Sequence, residues 1–172
     1  NVVVGGSAAP LSMIQRFQEE HDAFLIHAWG MTEMSPIGTV NSYTKVMASL
    51  SLEERYKLQM KQGRPVYGVE MKIVNDEGSE LPHDGVAFGN LLVRGPWITG
   101  SYYLNDDQSN FKDGWFDTGD VATIDSNNYL SLVDRAKDVI KSGGEWISSI
   151  DLENSAIGHP DLLGCCVIGV PH

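Results

Sequence analysis

Three consecutive valines, Val2 to Val4, open the chain and give way to Gly5-Gly6-Ser7, which predicts a buried strand over residues 1–4 and then a turn. Pro10 suits the first turn of a helix, and Leu11, Ile14 and Phe17 recur at helical spacing until His21-Asp22. Residues 23–28, with Phe24, Leu25 and Ile26, form a short apolar run of strand type. Strand, helix and strand in so few residues predict an α/β unit. Ser51-Leu52-Glu53-Glu54 has the spacing of a capping box, so residues 52–62 are expected as an exposed helix ending at Gly63.

Beyond Arg64-Pro65 the period falls to two. Val69, Met71 and Ile73 alternate with Glu70 and Lys72, and Asn75-Asp76-Glu77-Gly78 follows as a turn. Residues 89–94, 121–124 and 129–133 read as further strands separated by Gly, Pro, Asn and Asp clusters, which predicts a small antiparallel, barrel-like β unit. From Asp134 the texture shifts again, to a short strand at Val139-Ile140, a glycine turn over 141–145, a helix over 149–157 and a strand over 165–170. The expected architecture is α/β and β in three parts. Residues 1–64 form the end of a large α/β domain, 65–134 a small antiparallel β-barrel subdomain, and 135–172 the start of an α+β C-terminal domain.

Length alone, 172 residues, suits one ordinary domain or two small ones. Charge narrows the partners. With 12 basic residues against 23 acidic ones and a formal net charge of −11, the chain repels phosphate backbones and anionic lipid, which argues against a nucleic-acid partner. A small anionic ligand remains compatible, because backbone N–H groups and single basic residues hold phosphate locally. Cys165 and Cys166 are adjacent and close no useful loop, which fits a reducing, cytoplasmic location. No apolar run approaches the roughly 20 residues that span a bilayer. The five histidines are scattered, with no spacing typical of zinc ligands.

Several short stretches could carry chemistry, and each has a plain structural reading beside it. In Trp29-Gly30-Met31-Thr32-Glu33, the indole could stack on a base, Gly30 could allow close approach, Thr32 could donate to phosphate and Glu33 could ligate Mg²⁺. The same residues also make a core Trp at a strand end with a solvated turn. Phe116-Asp117-Thr118-Gly119-Asp120 reads as a turn before a strand, where Asp120 could accept from two ribose hydroxyls or merely close an Asx turn. Asp134-Arg135-Ala136-Lys137-Asp138 offers either a ribose- or phosphate-binding arginine or a solvated charge cluster. Gly5-Gly6 and Gly143-Gly144 permit close backbone approach and equally suit ordinary turns.

Taken in order, these stretches strongly resemble the adenylate-forming superfamily of acyl-CoA synthetases, peptide-synthetase adenylation domains and firefly-type luciferases. The residues that carry the resemblance are Val4-Gly5-Gly6-Ser7-Ala8-Ala9-Pro10, Trp29-Gly30-Met31-Thr32-Glu33, Gly114-Trp115-Phe116-Asp117-Thr118-Gly119-Asp120, and the run from Asp134 to Glu145. Trp29, where many members carry Tyr, is most like the fatty-acyl-CoA synthetase branch. The resemblance implies two half-reactions: a carboxylate and ATP give an acyl-adenylate and pyrophosphate, then the CoA thiol displaces AMP. It implies that adenine lies between the Gly6-Ser7-Ala8 loop and Trp29-Gly30. Thr32 would contact phosphate, Glu33 would hold Mg²⁺, and Asp120 and Arg135 would bind ribose. Lys137 would be the hinge of the C-terminal part, and Gly143 and Gly144 would line the pantetheine path. His27 and the 5–8 region would touch the acyl pocket.

The family's Pro-Lys-Gly phosphate loop and its late catalytic lysine are not found in this sequence, so the chain is expected to be an internal fragment that is inactive alone. A non-catalytic nucleotide-binding module and an enzyme that hands its acyl group to a carrier-protein thiol remain alternatives. Acyl-chain identity and oligomeric state are not legible.

Overall fold

The computed structural model describes all residues except 143, 144, 158, 160, 171 and 172. It is a mixed α/β structure followed by an antiparallel half-barrel. Strand β1 (Val2–Val4) runs parallel to β2 (Leu25–Gly30), and α1 (Leu11–His21) connects them. Pro10 precedes the first turn of α1, and Asp22, in the left-handed conformation, ends it, its N–H donating to the Gln18 carbonyl and the Ala23 N–H to the Phe17 carbonyl. Val3 remains 67% exposed, so β1 is not the buried strand its apolar run predicts. It has one strand neighbour, β2, and stands at the sheet edge.

After β2 come β3 (Ile37–Val40), antiparallel to it, and two helices, α2 (Lys45–Ser49) and α3 (Leu52–Gln59). The capping box at Ser51 forms as expected, with its hydroxyl accepting from the Glu54 N–H and the Glu54 carboxylate accepting from the Ser51 N–H. The helix is not wholly exposed, because Tyr56 and Gln59 are buried. Strand β4 (Arg64–Pro65) completes a four-stranded sheet in the order β1-β2-β3-β4. Strand β3 escapes sequence reading because Pro36 and Gly38 punctuate it. The structure requires Gly38: a Cβ there would lie 2.8 Å from the Trp29 ring.

The second sheet comprises β5 (Glu70–Val74), β6 (Phe88–Arg94), β7 (Phe111–Lys112), β8 (Trp115–Ile124) and β9 (Leu130–Arg135), all antiparallel. Strand β8 begins well before the expected Val121, so residues 116–120 are strand and not the turn expected before one. The misreading has a physical cause. Gly119 sits at φ 69° and the pairing with β9 slips between Val121 and Ala122, so the alternation that marks a strand is broken there. Past β9, the hairpin β10 (Ile140–Ser142) and β11 (Glu145–Ile147) leads to α4 (Ser149–Ile157). Residues 165–170 do not form the expected strand. None of the described strands pairs with them, and the Val167 N–H donates to Glu153 Oε1 at 2.9 Å. Cys165 is half-buried and Cys166 exposed, so they are not the internal packing residues their apolar setting suggests.

Two apolar clusters result. One joins Ala9, Ile14, Leu25 and Tyr56 under the first sheet. The other joins Ile73, Leu91, Val93, Phe116, Ile124 and Leu130 in the second sheet and also takes in Trp29 and Met34 from the first region. Residues 60–63 lock the regions together. The Gln62 N–H donates to Leu130 O at 2.9 Å, the Leu130 N–H to Gly63 O at 2.8 Å, and the Leu132 N–H to Gln62 Oε1 at 2.6 Å. From the other side, Thr39 Oγ1 donates to Gln62 O at 2.7 Å and Asn41 Nδ2 to Lys61 O at 2.8 Å. Gly63, at φ 95°, passes so close to the Val40 main chain that no side chain fits.

Candidate functional site

A cavity of about 200 Å³ opens where these regions meet. Its walls are Gly6, Ser7 and Ala8 after β1, the stretch His27–Gly30 of β2, Gln62, Asp120 of β8, and Leu132, Asp134 and Arg135 of β9, with Ile150 of α4 at one side. Sequence reasoning singled out Gly6, Ser7, Ala8, Trp29, Gly30, Asp120 and Arg135, and the fold gathers all of them here. It gave no signal for Gln62, whose place follows from pairings 70 residues apart.

Asp120 is the centre of the arrangement. It is 5% exposed, and the irregular register of β8 puts Asp120, Val121 and Ala122 in a row of buried positions instead of alternating them. Trp29 Nε1 donates to its Oδ2 at 3.2 Å. Arg135 Nη1 lies 3.0 Å from its Oδ1 and also donates to the Thr118 carbonyl at 3.3 Å. Burial raises the Asp120 pKa above its ordinary value, against the opposing pull of Arg135 and Trp29. A carboxylate has about four acceptor sites, so two remain for a ligand.

His27 closes the floor. It is 2% exposed, with Nδ1 at 3.1 Å from Met60 O and Nε2 at 3.2 Å from Ser7 O. Burial lowers its pKa, which favours the neutral ring, so a single N–H serves one of the two carbonyls. The bonded carbonyl is thereby tied to β2: Met60 O in the Nδ1–H tautomer, Ser7 O in the Nε2–H tautomer.

Thr32 and Glu33 do not line this cavity; they stand in a 3-10 turn, Thr32–Met34, immediately beyond it. Thr32 is exposed, and its hydroxyl has no hydrogen-bond partner among the described residues. Glu33 is half-buried; Tyr102 Oη donates to its Oε1 at 2.9 Å, the Thr99 N–H donates to its main-chain carbonyl at 2.8 Å, and Oε2 has no hydrogen-bond partner among the described residues. Sequence reading missed Tyr102, because nothing in the spacing of residues 95–102 points to a carboxylate 69 positions away. Among the described residues, no three His, Cys, Asp or Glu side chains gather as a metal cage. One hard carboxylate with a free oxygen fits Mg²⁺, which takes few protein ligands and completes its shell with water and substrate phosphate.

Gly30 lines the cavity and is also demanded by its own chain. A Cβ there would collide with the Pro36 carbonyl, so the close approach this glycine permits is that of its own chain. Lys137 is exposed, in the turn after β9 where the Asp138 and Val139 N–H groups both donate to Arg135 O at 2.9 and 3.0 Å. Gly143 and Gly144 lie outside the described residues.

Residues 1–103 match the family model described as AMP-binding enzyme. The chain is 55% identical over 170 residues to 3-methylmercaptopropionyl-CoA ligase of Ruegeria lacuscaerulensis, covering 99% of this chain and 32% of that protein. It is 54% identical over 171 residues to the medium-chain-fatty-acid–CoA ligase of Ectopseudomonas oleovorans, covering 99% and 31%. Among solved structures, O-succinylbenzoate coenzyme A synthetase from Bacillus subtilis, in complex with ATP and magnesium ion, superimposes with a TM-score of 0.81 at 28% identity, covering 99% of this chain and 34% of that one. The chain thus spans about a third of the length of the curated relatives it matches.

Proposed function

The chain belongs to the family of AMP-binding enzymes, and on that premise we propose that it is the part of an ATP-dependent carboxylate–CoA ligase that holds the adenosine end of the nucleotide. The Asp120 corner carries this reading. A buried carboxylate held by an indole N–H and a guanidinium is a rigid pair of acceptors beside a cavity, and vicinal ribose hydroxyls are the matching donors. Adenine would lie between the Gly6-Ser7-Ala8 loop and Trp29, with Arg135 reaching the ribose. Thr32 would meet the phosphates, and Glu33 would hold Mg²⁺ with its free oxygen. When bound, the metal would neutralise phosphate charge. The chain's own residues position the nucleotide, and positioning supplies much of the rate in such a transfer.

In the reaction proposed, a carboxylate oxygen of the acid bonds to the α-phosphorus and pyrophosphate leaves, giving the acyl-adenylate. The CoA sulfur then bonds to the acyl carbon, and AMP departs. Lys137, in its exposed turn, would be the hinge between the two steps, and Gly143 and Gly144 would line the thiol's path. The names of the relatives support a fatty or other small carboxylic acid as substrate and CoA as acceptor. We keep the division 1–64, 65–134 and 135–172; the two apolar clusters support the first boundary apart from Trp29 and Met34 and do not bear on the second. A cytoplasmic location belongs to the same proposal: no helix among the described residues is long and apolar enough to cross a membrane.

Carboxylate-dependent ATP–pyrophosphate exchange by the full-length enzyme that contains this chain is the test, run with straight-chain acids of graded length and followed by thioester assays with CoA and with a carrier-protein thiol. Exchange with at least one acid and thioester formation with CoA are expected. Nucleotide binding without exchange would overturn the ligase in favour of a binding module.

A further inference from the structure

Glu33 is gripped twice by one loop of the second region. The Thr99 N–H holds its main-chain carbonyl at 2.8 Å, and the Tyr102 hydroxyl holds its Oε1 at 2.9 Å. The loop has its own internal bonds, from the Ile98 N–H to Gly95 O at 3.2 Å and from Thr99 Oγ1 to Ser101 O at 2.7 Å. The tyrosine ring is fixed in turn. It packs edge-on to Phe111 at 5.6 Å between centroids, and Phe111 packs on Phe116 at 5.2 Å, a ring buried in the larger apolar cluster. A row of three aromatic rings therefore runs from the core to one carboxylate oxygen.

We propose that Tyr102 is a positioning residue for magnesium-nucleotide binding: by occupying Oε1 of Glu33, it fixes the carboxylate plane and leaves Oε2 directed at the cation. This rests on the reading of Glu33 as the magnesium residue. Carboxylates that ligate metals are commonly hydrogen-bonded from behind, and removing such a partner typically costs about 10- to 100-fold in metal affinity or activity. The hydroxyl acts through geometry and leaves the Glu33 charge in place. A merely structural tyrosine would change stability and leave the magnesium dependence alone.

The test is the Mg²⁺ concentration that half-saturates ATP binding to the full-length enzyme, measured by calorimetric titration of wild type, Tyr102→Phe, Glu33→Gln and the double variant. Tyr102→Phe keeps the ring on Phe111 and removes only the hydroxyl. Its midpoint is expected to rise about 10-fold, while metal-free AMP affinity and Tm stay near wild type. The double variant should match Glu33→Gln alone, because the tyrosine acts only through the carboxylate. A Tyr102→Phe midpoint within about twofold of wild type, with Glu33→Gln strongly shifted, overturns the positioning role alone. An unshifted Glu33→Gln removes Glu33 as the magnesium residue and this proposal with it. If Tyr102→Phe does not fold, Phe111→Leu keeps the hydroxyl and loosens its support; a rise of about threefold is expected, and none overturns the proposal.

Discussion

The corner at Asp120 and the turn at Glu33 each present one carboxylate to the same proposed ligand, built in opposite ways. Asp120 sits on a long central strand, is almost wholly buried, and has both oxygens engaged, by Trp29 from one sheet and Arg135 from the neighbouring strand. Glu33 sits in a single 3-10 turn and is half-buried, with one oxygen held by Tyr102 and the other open. The difference follows the partners each would meet. Neutral hydroxyls reward an acceptor already fixed in place, whereas a hydrated cation that arrives with its phosphates needs an oxygen still free to bind it. On the proposed reading the adenosine end of the site is preformed, and the phosphate end would be completed by what binds.

The sharpest way to break this contrast is Asp120→Ala. AMP affinity should fall about 100-fold by calorimetry, near 3 kcal/mol, since the guanidinium and the indole lose their shared acceptor. Unchanged AMP binding would remove the corner from the site. Trp29→Phe keeps an aromatic ring beside the cavity but removes the N–H donor along with part of the indole surface; at least about a 10-fold loss of AMP affinity is expected, roughly the value of one hydrogen bond to a charged group. Thr32→Val should weaken ATP about threefold and leave AMP within error, because the hydroxyl addresses phosphates that AMP lacks; equal losses would erase the distinction between the two ends.

The smallest effect concerns pH. Because burial lowers the His27 pKa from 6.5, the folded protein keeps the ring neutral while the unfolded chain takes up a proton. The stability that His27 contributes is therefore present above 6.5 and is lost as pH falls through its lower folded-state value. Wild-type Tm should drop by about 2 °C more than that of His27→Gln between neutral and mildly acid pH. Parallel curves would contradict the neutral assignment.

Much of this was legible because local chemistry decided it. Pro10 and the Ser51 capping box place their helices, and alternation places β5 and β6. The site motifs were visible as residue types, and yet their setting was not. Asp120 looked like part of a turn because Gly119 and the slipped register hide a strand, and that slip is what puts its carboxylate in the wall. Gln62, Gly63 and Tyr102 carried no signal because their roles depend on pairings across the fold. Glycine at 63 is demanded by the Val40 backbone, and Tyr102 matters only once Glu33 lies beneath it. Residues 165–170 show the converse: a strand-like composition makes no strand without a neighbour to complete the ladder.

The bond between Trp29 and Asp120 spans 91 positions, and the Gln62 bridge to β9 spans 70. Such contacts repay the entropy of closing a long loop only when both ends are already ordered. The Trp29–Asp120 corner is therefore expected to form late, after each sheet has found its own partners. A nascent chain that has emerged only as far as β7 holds the indole without its acceptor. If the proposed nucleotide binds there, its binding would report a finished fold and would stabilise the step expected to come latest.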